Sequence, residues 1–193
     1  MFVGKEKKYD AIVMGSSAGG LFVLSSLFQQ LPAGYPIPVI VVQHRSKDQR
    51  ELLEEVLQNK CKIKIKQADE KEKIESGVVY IAPPDYHLLI EADKTFSLSA
   101  DEPVRFSRPS IDVLFESASI VFKERLVAII LTGTNNDGSK GIETVRNFGG
   151  LTVAQDPGDA QYPYMPKSAI ETKKITHTWT LSEIQRFLLQ FID

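Results

Sequence analysis

Leu126 to Leu131 is a run of six apolar residues with no polar side chain between them. A strand with one wet face alternates polar and apolar residues, so an unbroken run marks a strand covered on both faces. Ala11 to Met14, Val39 to Val42 and Val78 to Ala82 repeat the pattern, and Leu151 to Ala154 reads as a further strand. Helical spacings separate these runs. Leu21, Leu24, Phe28 and Leu31 recur on one helical face, a helix is expected near 49–57, and Ser110 opens another to about Phe122. A helix over about Ser139 to Asn147 is stopped by Gly149-Gly150. The last begins at Thr180, with Glu183 placed to complete a capping box. Three segments depart from this alternation. Lys62 to Lys66 alternates Lys and Ile, as a half-solvated strand does; Leu88 to Ile90 and Thr95 to Leu98 suit a small antiparallel pair; Ala68 to Ser76 reads as a solvated loop. Alternating strands and helices predict an α/β fold: a single-domain, doubly wound, mostly parallel sheet with helices on both faces and a small antiparallel hairpin.

Composition narrows the functional classes. The 193 residues, 42% of them hydrophobic, suffice for one sizeable core, so one domain over residues 1–193 is expected. A formal net charge of -2 argues against nucleic acid as a partner. The single cysteine, Cys61, precludes an internal disulfide. Met1 to Tyr9 lacks the apolar core of a secretory signal, and no apolar run approaches the roughly 20 residues that span a bilayer. The expectation is a cytoplasmic protein without membrane insertion.

In a doubly wound sheet, sites gather at the carboxyl ends of the strands. The residues just beyond the buried runs are Gly15-Ser16-Ser17, Gln43-His44 and Thr132-Gly133-Thr134-Asn135-Asn136-Asp137. A serine, a histidine and an aspartate stand among them. Gly15-Ser16-Ser17-Ala18-Gly19-Gly20 is a tight strand-to-helix turn whose N–H groups can stabilise an oxyanion. The same turn also fits a simple helix cap or a phosphate loop, although no lysine follows and the spacing is not G-x-G-x-x-G. His44 can accept a serine proton near neutral pH. His87, before which Pro-Pro-Asp-Tyr resembles a rim loop, and His177 are competitors, the latter read as structural. Asp137 can orient a histidine, and as the residue before a helix it also suits a cap. Asp85, Asp112 and Asp156 are alternatives, Asp112 being read as a first-turn helix charge. Together Ser17, His44 and Asp137 form a candidate nucleophile, base and orienter. Their chain order differs from the Ser, Asp/Glu, His order of an α/β-hydrolase.

Beyond these three positions, the chain resembles the catalytic domain of the chemotaxis receptor methylesterases (the CheB family, protein-glutamate methylesterases). Gly15 to Gly20 is similar to the family's G-A-S-T-G-G, Tyr80 to His87 to its Y-I-A-P-x-D-x-H, and Arg108 to Phe115 to its R-P-S-V-D-V-L-F. Leu131 to Gly138 resembles L-T-G-M-G-x-D-G, and Ala154-Gln155-Asp156 and Met165-Pro166 match later segments. The resemblance places Ser17 on the family's nucleophile, His44 on its catalytic histidine and Asp137 on its catalytic aspartate. It implies hydrolysis of glutamate γ-methyl esters on chemoreceptors through an acyl-enzyme, deamidation of receptor glutamines, and no metal or organic cofactor. The implied partners are methylated chemoreceptor cytoplasmic domains, with a separate receiver or histidine kinase protein as a further one.

Two departures from the family pattern stand out. Only about ten residues precede the first strand, too few for the receiver domain common in the family, so constitutive access to Ser17 is expected. Thr134-Asn135 replaces Met-Gly, and glycine reaches backbone angles that asparagine adopts less readily, which predicts an altered loop. That loop is the basis of a competing reading, a non-catalytic signalling module that retains the fold.

Overall fold

The structure is a computed structural model that describes residues 8–45 and 53–192. Seven parallel strands form the central sheet: β1 (Ala11–Ser16), β2 (Val39–Gln43), β3 (Lys64–Gln67), β4 (Val78–Ile81), β7 (Leu126–Ile130), β8 (Leu151–Gln155) and β9 (His177–Trp179). Between β4 and β7 in the chain, β5 (His87–Ile90) and β6 (Phe96–Ser99) make a separate antiparallel pair. The order across the large sheet is β3-β4-β2-β1-β7-β8-β9. Strand β1 therefore lies at the middle, with β2 on one side and β7 on the other. Ser16 stands opposite Gln43, and Gly15 opposite Ile130.

Helices cover both faces. On one face, α1 (Gly20–Phe28), α2 (Leu53–Gln58) and α6 (Leu181–Leu189) bury Leu24, Leu57 and Ile184 against Ile12, Val41 and Ile129. On the other, α3 (Ile111–Phe122), α4 (Ser139–Asn147) and α5 (Tyr164–Glu171) bury Phe115, Ile142 and Met165 against Val13, Ile40 and Ile130, and the β5-β6 pair extends this layer. Neighbouring residues of one strand thus serve opposite cores. This is why β1, β2 and β7 are buried at every position and why their sequences show no polar alternation.

Several boundaries refine the sequence reading. The half-solvated strand sits at Lys64–Gln67 rather than starting at Lys62; Ile65 is its buried residue, and Ile63 is buried just before it. The first residues of the helix expected near 49–57 lie outside the described residues; the helix is seen from Leu53. Segment 68–76 is mostly exposed, but it is tied to the hairpin: Lys71 N–H donates to the Phe96 carbonyl and Ile74 N–H to that of Lys94. Thr180 and Glu183 form the expected capping box. Among the described residues, no helix is long and apolar enough to cross a membrane.

Candidate active site

The backbone ladder continues past the strand ends and draws three loops together. Ser17 N–H donates to the Thr132 carbonyl at 3.0 Å, and His44 N–H donates to the Ser16 carbonyl at 3.0 Å. The loops after β1, β2 and β7 are therefore hydrogen-bonded neighbours at the carboxyl edge of the sheet. Gly19, with φ 78°, turns the chain from β1 into α1 in a conformation that suits glycine. A side chain at Gly20 would run into the Gln43 side chain. That close approach lets Gln43 act as a clamp. Its Oε1 accepts the buried Ser16 hydroxyl at 2.6 Å, while its Nε2 donates to the carbonyls of Ser17 and His44 at 2.8 and 2.9 Å.

Asp137 is the electrostatic anchor. Its side chain is fully buried, and its Oδ2 lies 2.8 Å from His44 Nε2. The carboxylate also accepts from Ser110 Oγ at 2.9 Å and from the N–H groups of Ile111 at 2.7 Å and Asp112 at 3.0 Å. Those amides begin α3, so Asp137 caps that helix from a distant loop and sits at the positive end of its dipole. The alternative reading of Asp137 as a cap for the helix after it does not hold: the N-cap of α4 is Gly138. Burial pushes the Asp137 carboxyl up, but the hydrogen bond and charge of His44, with the Ile111 and Asp112 amides, outweigh it and hold the group below the ordinary carboxylate range.

The neighbouring Asp112 goes the other way. As expected it stands in the first turn of α3, and it is buried there. Its partners are the Gly141 N–H at 2.7 Å and Arg105 Nε at 2.9 Å. Burial raises its carboxyl, the charge of Asp137 adds to this, and the Gly141 and Arg105 hydrogen bonds only partly offset it. His87 is not on an open rim. It is buried, its Nδ1 accepts the Ser110 N–H at 3.2 Å, and it thereby steadies the residue whose hydroxyl holds Asp137. His177 packs flat on Trp179 with ring centroids 4.6 Å apart. Asp156 turns its own loop by accepting the Gly158 N–H.

His44 and Ser17 line one cleft of about 850 Å³ between α1 and α2, with Phe22, Arg45, Val56 and Lys60 on its walls. Among the described residues, Ser17 Oγ has no hydrogen-bond partner, and no bond joins it to His44. The second ring nitrogen of His44, Nδ1, instead faces Asn135 Nδ2 at 3.2 Å. Asn135 has no positive φ, so the replaced glycine acts through the added side chain and not through backbone strain. The N-cap of α1 has no side-chain cap bond, and the Ala18 N–H beside Ser17 has no backbone acceptor among the described residues. These are uncommitted donors at the positive end of a helix.

Gln43, Ser110 and Asn135 are supporting residues whose side-chain contacts the sequence reading did not anticipate. A polar residue at the end of an apolar strand was the available signal for Gln43. For Ser110 the signal pointed to an ordinary cap, yet its hydroxyl makes no cap bond and serves Asp137.

Residues 12–188 match the family model of the CheB methylesterase. The chain belongs to the CheB methylesterase family. It is 48% identical over 182 residues to a Leptospira interrogans protein provisionally named protein-glutamate methylesterase/protein-glutamine glutaminase, an alignment covering 94% of each. It is 34% identical over 166 residues to the Clostridium acetobutylicum protein-glutamate methylesterase/protein-glutamine glutaminase, covering 86% of this chain and 48% of that relative. The crystal structure of the Thermotoga maritima CheB methylesterase catalytic domain superimposes with a TM-score of 0.91 at 32% identity, covering 95% of this chain and 99% of the other. The expected family and fold class are both met.

Proposed function

We propose that the chain is a cytoplasmic serine hydrolase that demethylates glutamate γ-methyl esters of chemoreceptors and can deamidate receptor glutamines, using Ser17, His44 and Asp137. The observation that carries this reading is the buried Asp137 carboxylate on His44 Nε2, with His44 and Ser17 lining the same cleft. A carboxylate on Nε2 keeps hydrogen on that nitrogen and leaves Nδ1 with the lone pair that a general base needs.

In the reaction, Ser17 Oγ attacks the ester carbonyl as its proton passes to His44 Nδ1. The Ala18 N–H and the open end of α1 are suited to receive the oxyanion. Collapse breaks the C–O bond to the methoxy group, which takes the proton from His44 and leaves as methanol. Water, deprotonated by His44, then cleaves the acyl-enzyme; glutamate is released and the proton returns to Ser17. A glutamine would follow the same course with ammonia as leaving group. The exposed Phe22 on α1 and the exposed Phe106, which borders a smaller cavity beside His44, stand ready for apolar contacts with a helical receptor segment.

The test is methanol release from methylated receptor, with fluorophosphonate labelling of Ser17 as a substrate-independent readout. Both are expected for the wild type, and both are expected to vanish in Ser17→Ala. A folded wild-type protein that neither releases methanol nor takes the label would favour the second reading, a non-catalytic module, whose support is the Asn135 amide on His44 Nδ1.

A further inference from the structure

The side chain of Asn135 is oriented by its two partners. The Asp137 N–H is 3.1 Å from the Oδ1 atom, and a peptide N–H can only donate, so the oxygen belongs there. The amide nitrogen must then face His44 Nδ1, and being a donor it requires a lone pair on that nitrogen. The Asp137 carboxylate on Nε2 requires the same tautomer. Two independent hydrogen bonds therefore specify neutral His44 with its hydrogen on Nε2.

The in-plane lone pair of Nδ1 accepts one good hydrogen bond, and Asn135 holds it. The Ser17 hydroxyl, which among the described residues has no partner, needs the same lone pair in order to lose its proton. Once Nδ1 has taken a proton, its N–H would point at the Asn135 NH₂, donor against donor. The amide cannot simply turn over, because its oxygen would leave the Asp137 N–H. Since Asp137 alone suffices to set the tautomer, the net effect of Asn135 is competition with the serine.

We propose that Asn135 is a positioning residue that occupies the proton-accepting nitrogen of His44 in the resting enzyme, so that activation of Ser17 requires displacement of the Asn135 amide. The inference rests on the Ser17 nucleophile reading. It assigns the asparagine a rate-setting role at a position where backbone conformation does not demand a glycine.

The test compares the wild type with Asn135→Ala and Asn135→Asp. Second-order labelling of Ser17 by a fluorophosphonate is measured alongside Tm and the ¹⁵N resonances of the His44 ring. Loss of one competing hydrogen bond should speed labelling of Asn135→Ala about two- to tenfold. Asn135→Asp is nearly isosteric but presents an acceptor to Nδ1; it should draw hydrogen onto that nitrogen and slow labelling below the wild-type rate. The wild-type Nδ1 resonance should be of the unprotonated type and should shift in Asn135→Ala as its hydrogen bond is lost. Opposite rate changes in the two variants would not arise from a merely structural role, which would slow both in step with Tm. Unchanged or slower labelling of a folded Asn135→Ala, or a protonated Nδ1 in the wild type, overturns the proposal. If the wild type is not labelled at all, the nucleophile reading itself fails. The nitrogen resonances then still decide whether Asn135 holds Nδ1.

Discussion

Asp137 and Ser17 stand at opposite ends of one candidate relay and are held in opposite ways. The Asp137 side chain is fully buried and takes hydrogen bonds from His44, from the Ser110 hydroxyl and from the first amides of α3. Ser17 is half-buried in an open cleft, and its hydroxyl has no partner among the described residues. The difference separates two tasks. A charge out of water must be surrounded by donors, or it would take up a proton and lose its use as an orienter. The nucleophile proposed at Ser17 would have to stay free to meet its substrate, and only its backbone is fixed, through Thr132 and Gln43.

Removing the free end should have the largest effect on activity. Ser17→Ala is expected to lower the rate on the order of 10⁶-fold, the scale for loss of a serine nucleophile, at nearly unchanged Tm. The adjacent Ser16→Ala should show the reverse. It leaves Gln43 Oε1 buried without its 2.6 Å partner, so Tm should fall while Ser17 labelling of the folded protein persists. Equal activity loss in both variants would break the contrast.

Altering the charged end comes next. Asp137→Asn retains the shape but offers an NH₂ where His44 Nε2 needs an acceptor. Activity is expected to fall roughly 10⁴-fold, as when the orienting aspartate of a serine triad is replaced. Ser110→Ala touches only the carboxylate's support. It should cost about 1.5–3 kcal/mol in stability, the range for a hydrogen bond to a charged group, with a smaller change in rate. Denaturant unfolding and steady-state rates on the same samples check both.

The smallest effect is a pH dependence. Asp137 is held below its ordinary range when folded, whereas an unfolded aspartate titrates near ~3.9. Its contribution to stability is therefore fully present above about pH 4 and is lost as pH falls through the folded value. Asp112, raised by burial, has the opposite sign. The informative quantity is thus the Tm difference between wild type and Asp137→Asn, which should narrow on acidification below about pH 4. A constant gap down to pH 2 would contradict it.

The same contrast explains what the sequence could reveal. Ser17, His44 and Asp137 were legible because each follows an apolar strand, and a parallel sheet gathers such strand ends. The supports of Asp137 were not. Ser110 and the start of α3 lie more than 20 residues away in sequence, at a helix N-terminus that looked self-sufficient. Helix α5 was also missed, since Pro163 and Pro166 at its start obscure a helical pattern. Pro166 in fact falls in the first helical turn, where no backbone N–H bond is forfeited. Strand β9, by contrast, was legible around His177 as a Thr-rich strand-like segment, although it is short and largely exposed at the sheet edge.

The placement of β1 between β2 and β7 has a kinetic corollary. His44 and Asp137 are 93 positions apart in the chain, and the central pairing of β1 with β7 closes a comparably long loop. Long closures come at high entropic cost and slow the folding of parallel sheets. A growing or refolding chain can form the β1 turn and its neighbour β2 well before the aspartate arrives. Competence toward the fluorophosphonate should therefore emerge with the final cooperative phase of refolding, later than the first gain of helical signal. Until then, under the proposed mechanism, Ser17 and His44 would stand together without the carboxylate that orients the histidine.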